Sequence, residues 1–179
     1  LKKIFTEHKA AVFFLLRFLI VFGGLSLAYG YWIKSFGDRP DSFSWLVGKH
    51  LGFFLKGLQL EEIPGTAAIS VIYGGNAQVS LFEGCNGIAV MILFFAFIFA
   101  FKGKYKDLLW YAPLGFLVIH LFNLFRLALL ILLARAESEL FHYMHKYILS
   151  LIIYSAVFLL WLGWVRLVKK RRENEEAVR

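Results

Sequence analysis

Four long apolar runs constrain this chain more than any other feature. They cover residues 10–32, 86–101, 108–133 and 147–168. A helix that spans a bilayer needs roughly 20 consecutive, mostly apolar residues. Three runs reach that length, and the second is short but dense. The whole chain has 179 residues, of which 60% are hydrophobic and only 18% charged. A soluble domain is nearer half apolar and about a quarter charged. So short a chain cannot hide this excess in a core of its own, whereas lipid can accept it. Trp161 and Trp164 fall near the far end of the fourth run, where an interfacial belt belongs. Arg17 lies early in the first run, close enough to snorkel to the near surface. Pro113 falls in the first part of the third run. The expected fold is an all-α integral membrane protein, one domain over residues 1–179, built as a bundle of about four transmembrane helices.

The net charge of +8 raises the question of a nucleic-acid partner. No nucleic acid is expected, because the basic residues do not form a groove-sized patch interleaved with stacking aromatics. They gather at the ends of the apolar runs instead. With the N-terminus inside, Lys2, Lys3, Lys9, Lys102, Lys104, Lys106 and the basic residues from Arg166 onward all face the cytoplasm. Only half as many lie outside: Lys34, Arg39, Lys49, Lys56, Arg135 and Lys146. The positive-inside rule then puts both termini in the cytoplasm, in agreement with an even number of spans. The first run is long and lacks a clear small-residue cleavage site, so no cleavable leader is expected. The charged tail 169–179 is expected to fray into the cytoplasm as a partly helical end.

Segment 33–84 forms the extracytoplasmic part. Asp38-Arg39-Pro40-Asp41 reads as a turn leading into a helix. Val47, Leu51, Phe54, Leu55 and Leu58 share one face of that helix, and Lys49, Lys56 and Gln59 share the other. This pattern suits a helix lying in the outer interface. Gly48, Gly52 and Gly57 equally suit a half-span dipping into the membrane. Pro64-Gly65 ends the helix. Two β-like runs, 68–73 and 77–81, flank Gly74-Gly75-Asn76 and predict a short β-hairpin. The hairpin leads directly to the chain's single cysteine.

Cys85 sits in Glu83-Gly84-Cys85-Asn86-Gly87, at the outer mouth of the second run. The glycines allow a sharp turn and close approach of a ligand. A thiol at a helix N-terminus is expected to gain thiolate character, because that end of the helix is partly positive. The plain alternative is an inert cysteine at a crowded turn. Arg126 lies within the third run, about 12 Å from its outer end at 1.5 Å per residue. An arginine at that depth is costly and marks a functional site or a structural tie to carbonyls or an acid. Asn123 precedes it by three residues and shares its face, and His120 continues the ridge. His145 opens the fourth run, with His142 one turn earlier. Cysteine, arginine and histidine thus all fall at the outer face. Together they suit acyl transfer: a thiolate attacks a carbonyl, a guanidinium stabilises the oxyanion, and an imidazole moves the proton.

In these residues the chain resembles the exosortase/archaeosortase family of membrane-embedded cysteine enzymes. Cys85-Asn86-Gly87 matches the family's Cys-x-Gly turn, and Asn123-Leu124-Phe125-Arg126 its Asn-x-x-Arg. His145 matches the histidine that opens the following span, with His142 as competitor. The resemblance covers roughly residues 80 to 165. It implies Cys85 as nucleophile, Arg126 as oxyanion or carbonyl stabiliser and His145 as general acid/base, with Glu83, Asn86, Gly87 and Asn123 in support. It also implies a substrate class: exported proteins ending in a short motif, a transmembrane helix and a basic tail. No cofactor or metal is implied. Many members have about eight spans, so this chain is similar to the compact subfamily called exosortase F, and a membrane partner protein is a possible helper. 

Two other readings compete. One is a non-enzymatic membrane assembly or transport subunit whose Arg126 pairs with an acid on a partner helix. The other is a lipid-linked transferase gripping phosphate with Arg126 and Lys49 or Lys56. His142 and His145 lack further ligands at compelling spacing for a metal; Glu137 and Glu139 read as a solvated loop face.

Overall fold

The computed structural model describes residues 9–136 and 149–177. Among them are five α-helices, three strands and one 3-10 turn, in the order α1 (Lys9–Lys34), α2 (Ser42–Phe54), β1 (Gln59–Glu62), β2 (Ile69–Tyr73), β3 (Asn76–Leu81), the turn Glu83–Cys85, α3 (Ile88–Ala100), α4 (Tyr105–Arg135) and α5 (Leu149–Ala177). The fold is mostly helical, with three helices long and apolar enough to cross a membrane: α1, α4 and α5. This is a multi-pass membrane protein. The second apolar run departs from expectation. Its helix α3 has 13 residues and is about 20 Å long, well short of a hydrocarbon core of about 30 Å. Gly87 and the turn before it take up the residues that would have lengthened α3.

Lipid suits the outer surfaces of the long helices. On α1, Ile20 and Leu27 are 67% and 77% exposed, and no residue of this helix is buried. Phe14, Phe18 and Phe22 stack along one side of α1, and Phe14 meets Phe97 and Phe101 of α3 edge-on. The bundle of α3, α4 and α5 has its own core. Phe94 and Ile98 of α3 pack with Ile119 of α4 and Val157, Trp164 and Val168 of α5. Polar side chains tie this core to main-chain carbonyls: Tyr111 Oη donates to Leu160 O at 2.6 Å, and Trp164 Nε1 to Phe101 O at 3.1 Å. Buried Asp107 near the start of α4 pairs with Arg171 of α5 at 2.9 Å. Such ties matter in lipid, where apolar surface gains little by leaving the solvent. They also extend α5 beyond its apolar part. The expected fraying tail is a continuous helix as far as Ala177, pinned by Arg171 and by Arg172 Nη2 donating to Lys102 O.

The second layer covers the C-terminal half of α4. Asp41 caps α2, its carboxylate accepting from Phe43 N at 2.8 Å and Ser44 N at 3.0 Å. The helix then buries Val47 and Leu51 as expected, but Phe54 is 60% exposed, and the helix ends there, so Leu55 and Leu58 lie beyond it. The hairpin forms as predicted, yet the segment is not purely helix and hairpin. Gln59–Glu62 adds a third strand, giving an antiparallel sheet ordered β1-β2-β3. Ile69 and Val71 of β2 point inward at alternate positions, and with Leu81 they pack on Leu124, Leu127 and Ile131 of α4. The mostly helical fold with a short hairpin is thus as expected, with one strand more.

Close helix packing rests on glycines at two crossings. A side chain at Gly115 would place its Cβ 2.2 Å from the fully buried Phe94 ring, and one at Gly163 would lie 2.6 Å from Tyr111 Oη. Replacing Gly115 with valine is expected to destabilise the purified protein by about 1–3 kcal/mol, the usual range for overpacking. Thermal unfolding in detergent measures it, with Gly24→Ala, which meets nothing within 4 Å, as the unaffected control.

Candidate functional site

The route from sheet to α3 determines where the cysteine lies. Phe82 is extended, and the chain then tightens into the turn, where Cys85 N donates to Phe82 O at 2.8 Å. Asn86 Oδ1 accepts from Ile88 N at 3.0 Å and so satisfies one of the free amides that open α3. Its Nδ2 donates to Tyr29 Oη on α1 at 2.8 Å. Gly87 follows at φ +83°, a left-handed conformation that strains any other residue. It is buried against Asn123, whose Cγ would lie 3.3 Å from a Cβ at this position.

That proximity brings the two sequence motifs together. Asn123, with no exposed surface, donates its Nδ2 to Cys85 O at 2.8 Å. Its Oδ1 is buried without a partner. Arg126, one turn further along α4, is half-buried, and its Nε also lacks a partner among the described residues. The guanidinium is near enough to act on the Cys85 thiol electrostatically. Cys85, Asn86, Gly87, Asn123 and Arg126 therefore form one cluster at the junction of the turn, α3 and α4. Glu83 is exposed at the start of the turn. His142 and His145 lie outside the described residues, as do Glu137 and Glu139.

Two expectations change at this site. The thiol is not lowered by its place before α3. Burial pushes it above the ordinary range, and the opposing pulls of the Phe82 backbone and the Arg126 charge are smaller. Cys85 is only 8% exposed and belongs to the apolar cluster of α2, the sheet and α4. The ridge residue His120 faces a different neighbour from the one its position beside Asn123 suggests. Its Nε2 lies 2.8 Å from Nδ1 of His50 on α2, and the rings meet edge-on. His50 was not singled out in the sequence, since a lone polar residue on a short amphipathic helix gives no signal of a partner 70 positions away. Among the described residues no group of three or more potential ligands is arranged to hold a metal. Lys49 and Lys56 are both exposed, and neither is part of the cluster at Arg126.

Comparison of the chain with family models, with curated proteins and with solved structures gives no match.

The raised thiol can be tested by its chemistry. Alkylation of Cys85 by iodoacetamide, followed by mass spectrometry, is expected to keep accelerating above about pH 8.5, where a free cysteine is already half ionised. Arg126→Gln removes a stabilising charge and moves that rise to higher pH. A profile that levels off below pH 8 would instead reveal an activated thiolate.

Proposed function

We propose that this chain is a membrane-embedded cysteine transpeptidase or protease of the exosortase type. In this reading Cys85 is the nucleophile, Arg126 holds the developing oxyanion, and His145, or His142 in its place, carries the proton. The observation that carries it is the bond from Asn123 to the Cys85 carbonyl. It links the Cys-x-Gly turn to the Asn-x-x-Arg of another helix, although 38 positions separate the two residues. Residues at that separation have no reason to meet unless the fold brings them together.

In this reading the cluster supplies the thiol and the guanidinium, and the histidine supplies the imidazole. The thiol proton passes to the imidazole, and Sγ bonds to the scissile carbonyl carbon. The oxyanion that forms accepts hydrogen bonds from Arg126, whose guanidinium carries donors in a fixed fork. Collapse breaks the C–N bond, and the amine leaves with the proton from the histidine. An amine or water then opens the thioester and restores the thiol. Burial of Cys85 supports a resting state in which the thiol is neutral and shielded, with Arg126 poised beside it. With both termini in the cytoplasm, the site faces the outer side of the cell membrane. The substrates would be exported proteins with a C-terminal motif, membrane helix and basic tail. With few spans of its own, the chain would share the holding of that helix with a partner protein.

A second reading rests on specific observations. Cys85 is buried with a raised thiol, and no described histidine or carboxylate is hydrogen-bonded to it. Charges elsewhere in the bundle serve assembly, as Arg171 and Asp107 do between α5 and α4. The partnerless Nε of Arg126 would then await an acid on the helix of another protein, and the chain would be a membrane assembly or transport subunit.

Two substitutions separate the readings. Cys85→Ala is expected to leave the protein inserted and to stop substrate maturation, seen as accumulation of the uncut precursor on immunoblots. Arg126→Gln should slow processing about 100- to 1000-fold, the usual effect of losing one oxyanion donor. Full processing by Cys85→Ala, with loss of complex assembly in Arg126→Gln, would select the subunit reading. 

A further inference from the structure

The opposite end of the bundle holds a feature that the reading of Cys85 does not use. A cleft of about 810 Å³ lies where α1 meets the C-terminal end of α3, walled by Phe14, Phe97 and Phe101 and edged by Arg17, Lys102 and Arg172. A second cleft of about 400 Å³, walled by Phe99, Leu108 and Trp164, shares Arg17 and Lys102 with the first. Two greasy recesses thus meet at two cations. Among the described residues, no Asp or Glu lines either recess. The neighbouring cations are already matched, Lys104 by Glu175 and Arg171 by Asp107. Arg17 and Lys102 form no ion pair among the described residues.

We propose that this end of the bundle binds one anionic phospholipid, its phosphate between Arg17 and Lys102 and its acyl chains in the two clefts. A guanidinium and an ammonium lining the same two clefts are suited to a phosphate, the first by paired donors and the second as a point charge. Phenyl and indole walls are suited to the chains. The charge also selects the occupant: a basic peptide tail is repelled here, and a zwitterionic headgroup brings its own cation to two others. Arg172 adds a third positive charge at the rim, held in place by its bond to Lys102 O at 2.8 Å. Such a lipid would join α1 to the rest of the bundle, which matters because α1 buries none of its own residues. The inference needs only the membrane setting, and it stands or falls separately from any role of Cys85.

The test is native mass spectrometry of the full chain released from detergent. Dioleoylphosphatidylglycerol and dioleoylphosphatidylcholine are offered at equal concentration. The expected result is preferential retention of the anionic lipid, falling about fivefold for each charge removed in Arg17→Gln and Lys102→Gln. Ala11→Trp keeps every charge and fills the larger cleft, so it should reduce retention too, and it decides the matter if the charge variants do not fold. Equal retention of the two lipids, or retention unchanged in Ala11→Trp and in whichever charge variants fold, would overturn the proposal. So would displacement of the lipid by an equal concentration of sodium phosphate, which would identify a site for the free anion.

Discussion

The hydrogen bond from Asn123 to the carbonyl of Cys85 holds the two layers of this protein in register. It joins a helix of the bundle to the turn through which the sheet hands the chain to α3. Its net contribution is about 0.5–1.5 kcal/mol when made, but leaving the two buried groups unpaired would cost more. Geometry around it follows from that constraint. Gly87 must lack a side chain because Asn123 occupies the space, and it must be glycine because its φ is positive. Asn86 is then free to cap α3 on one side and to hold Tyr29 of α1 on the other. The run Cys85-Asn86-Gly87 thereby ties α1, α3 and α4 together at one level.

Away from that level, the helices are held by different means at each end. Toward the sheet, α4 is covered by aliphatic side chains of α2, β2 and β3, as in a small soluble core. Toward the other end, glycines admit aromatic rings, and Tyr, Trp and Arg side chains bind main-chain carbonyls or a buried carboxylate. The two ends thus differ in the kind of contact that holds them: apolar burial at one, glycine-mediated packing and polar ties at the other.

Much of this was legible in the sequence, for physical reasons that can be named. Long apolar runs announce helices because lipid leaves the backbone no other way to satisfy its polar groups. The turn Asp38-Arg39-Pro40-Asp41 announced the start of α2, and Gly74-Gly75-Asn76 the hairpin. Gln59–Glu62 was not legible as a strand, because its Gln-Leu-Glu-Glu carries a single apolar residue and pairs only at an edge. The start of α3 was less legible: the apolar residues Ile88 to Ala100 are all helix, but Asn86 and Gly87, counted with the run, belong to the turn before it. At the candidate site, Cys85, Asn123 and Arg126 were found by their types and order. The direction of the thiol shift was not, since burial arises from α2 and the sheet, which sequence spacing does not place over the cysteine. The pairing of His50 with His120 was missed for the same reason.

The shortness of α3 carries a consequence for any acyl group attached to Cys85. Its 13 helical residues rise about 20 Å, against a hydrocarbon core of about 30 Å, so α3 cannot reach from one surface of a bilayer to the other. Cys85 is packed among side chains of α2, the sheet and α4. Under the proposed chemistry those same side chains would screen a thioester from water, and an amine acceptor would have to enter past them.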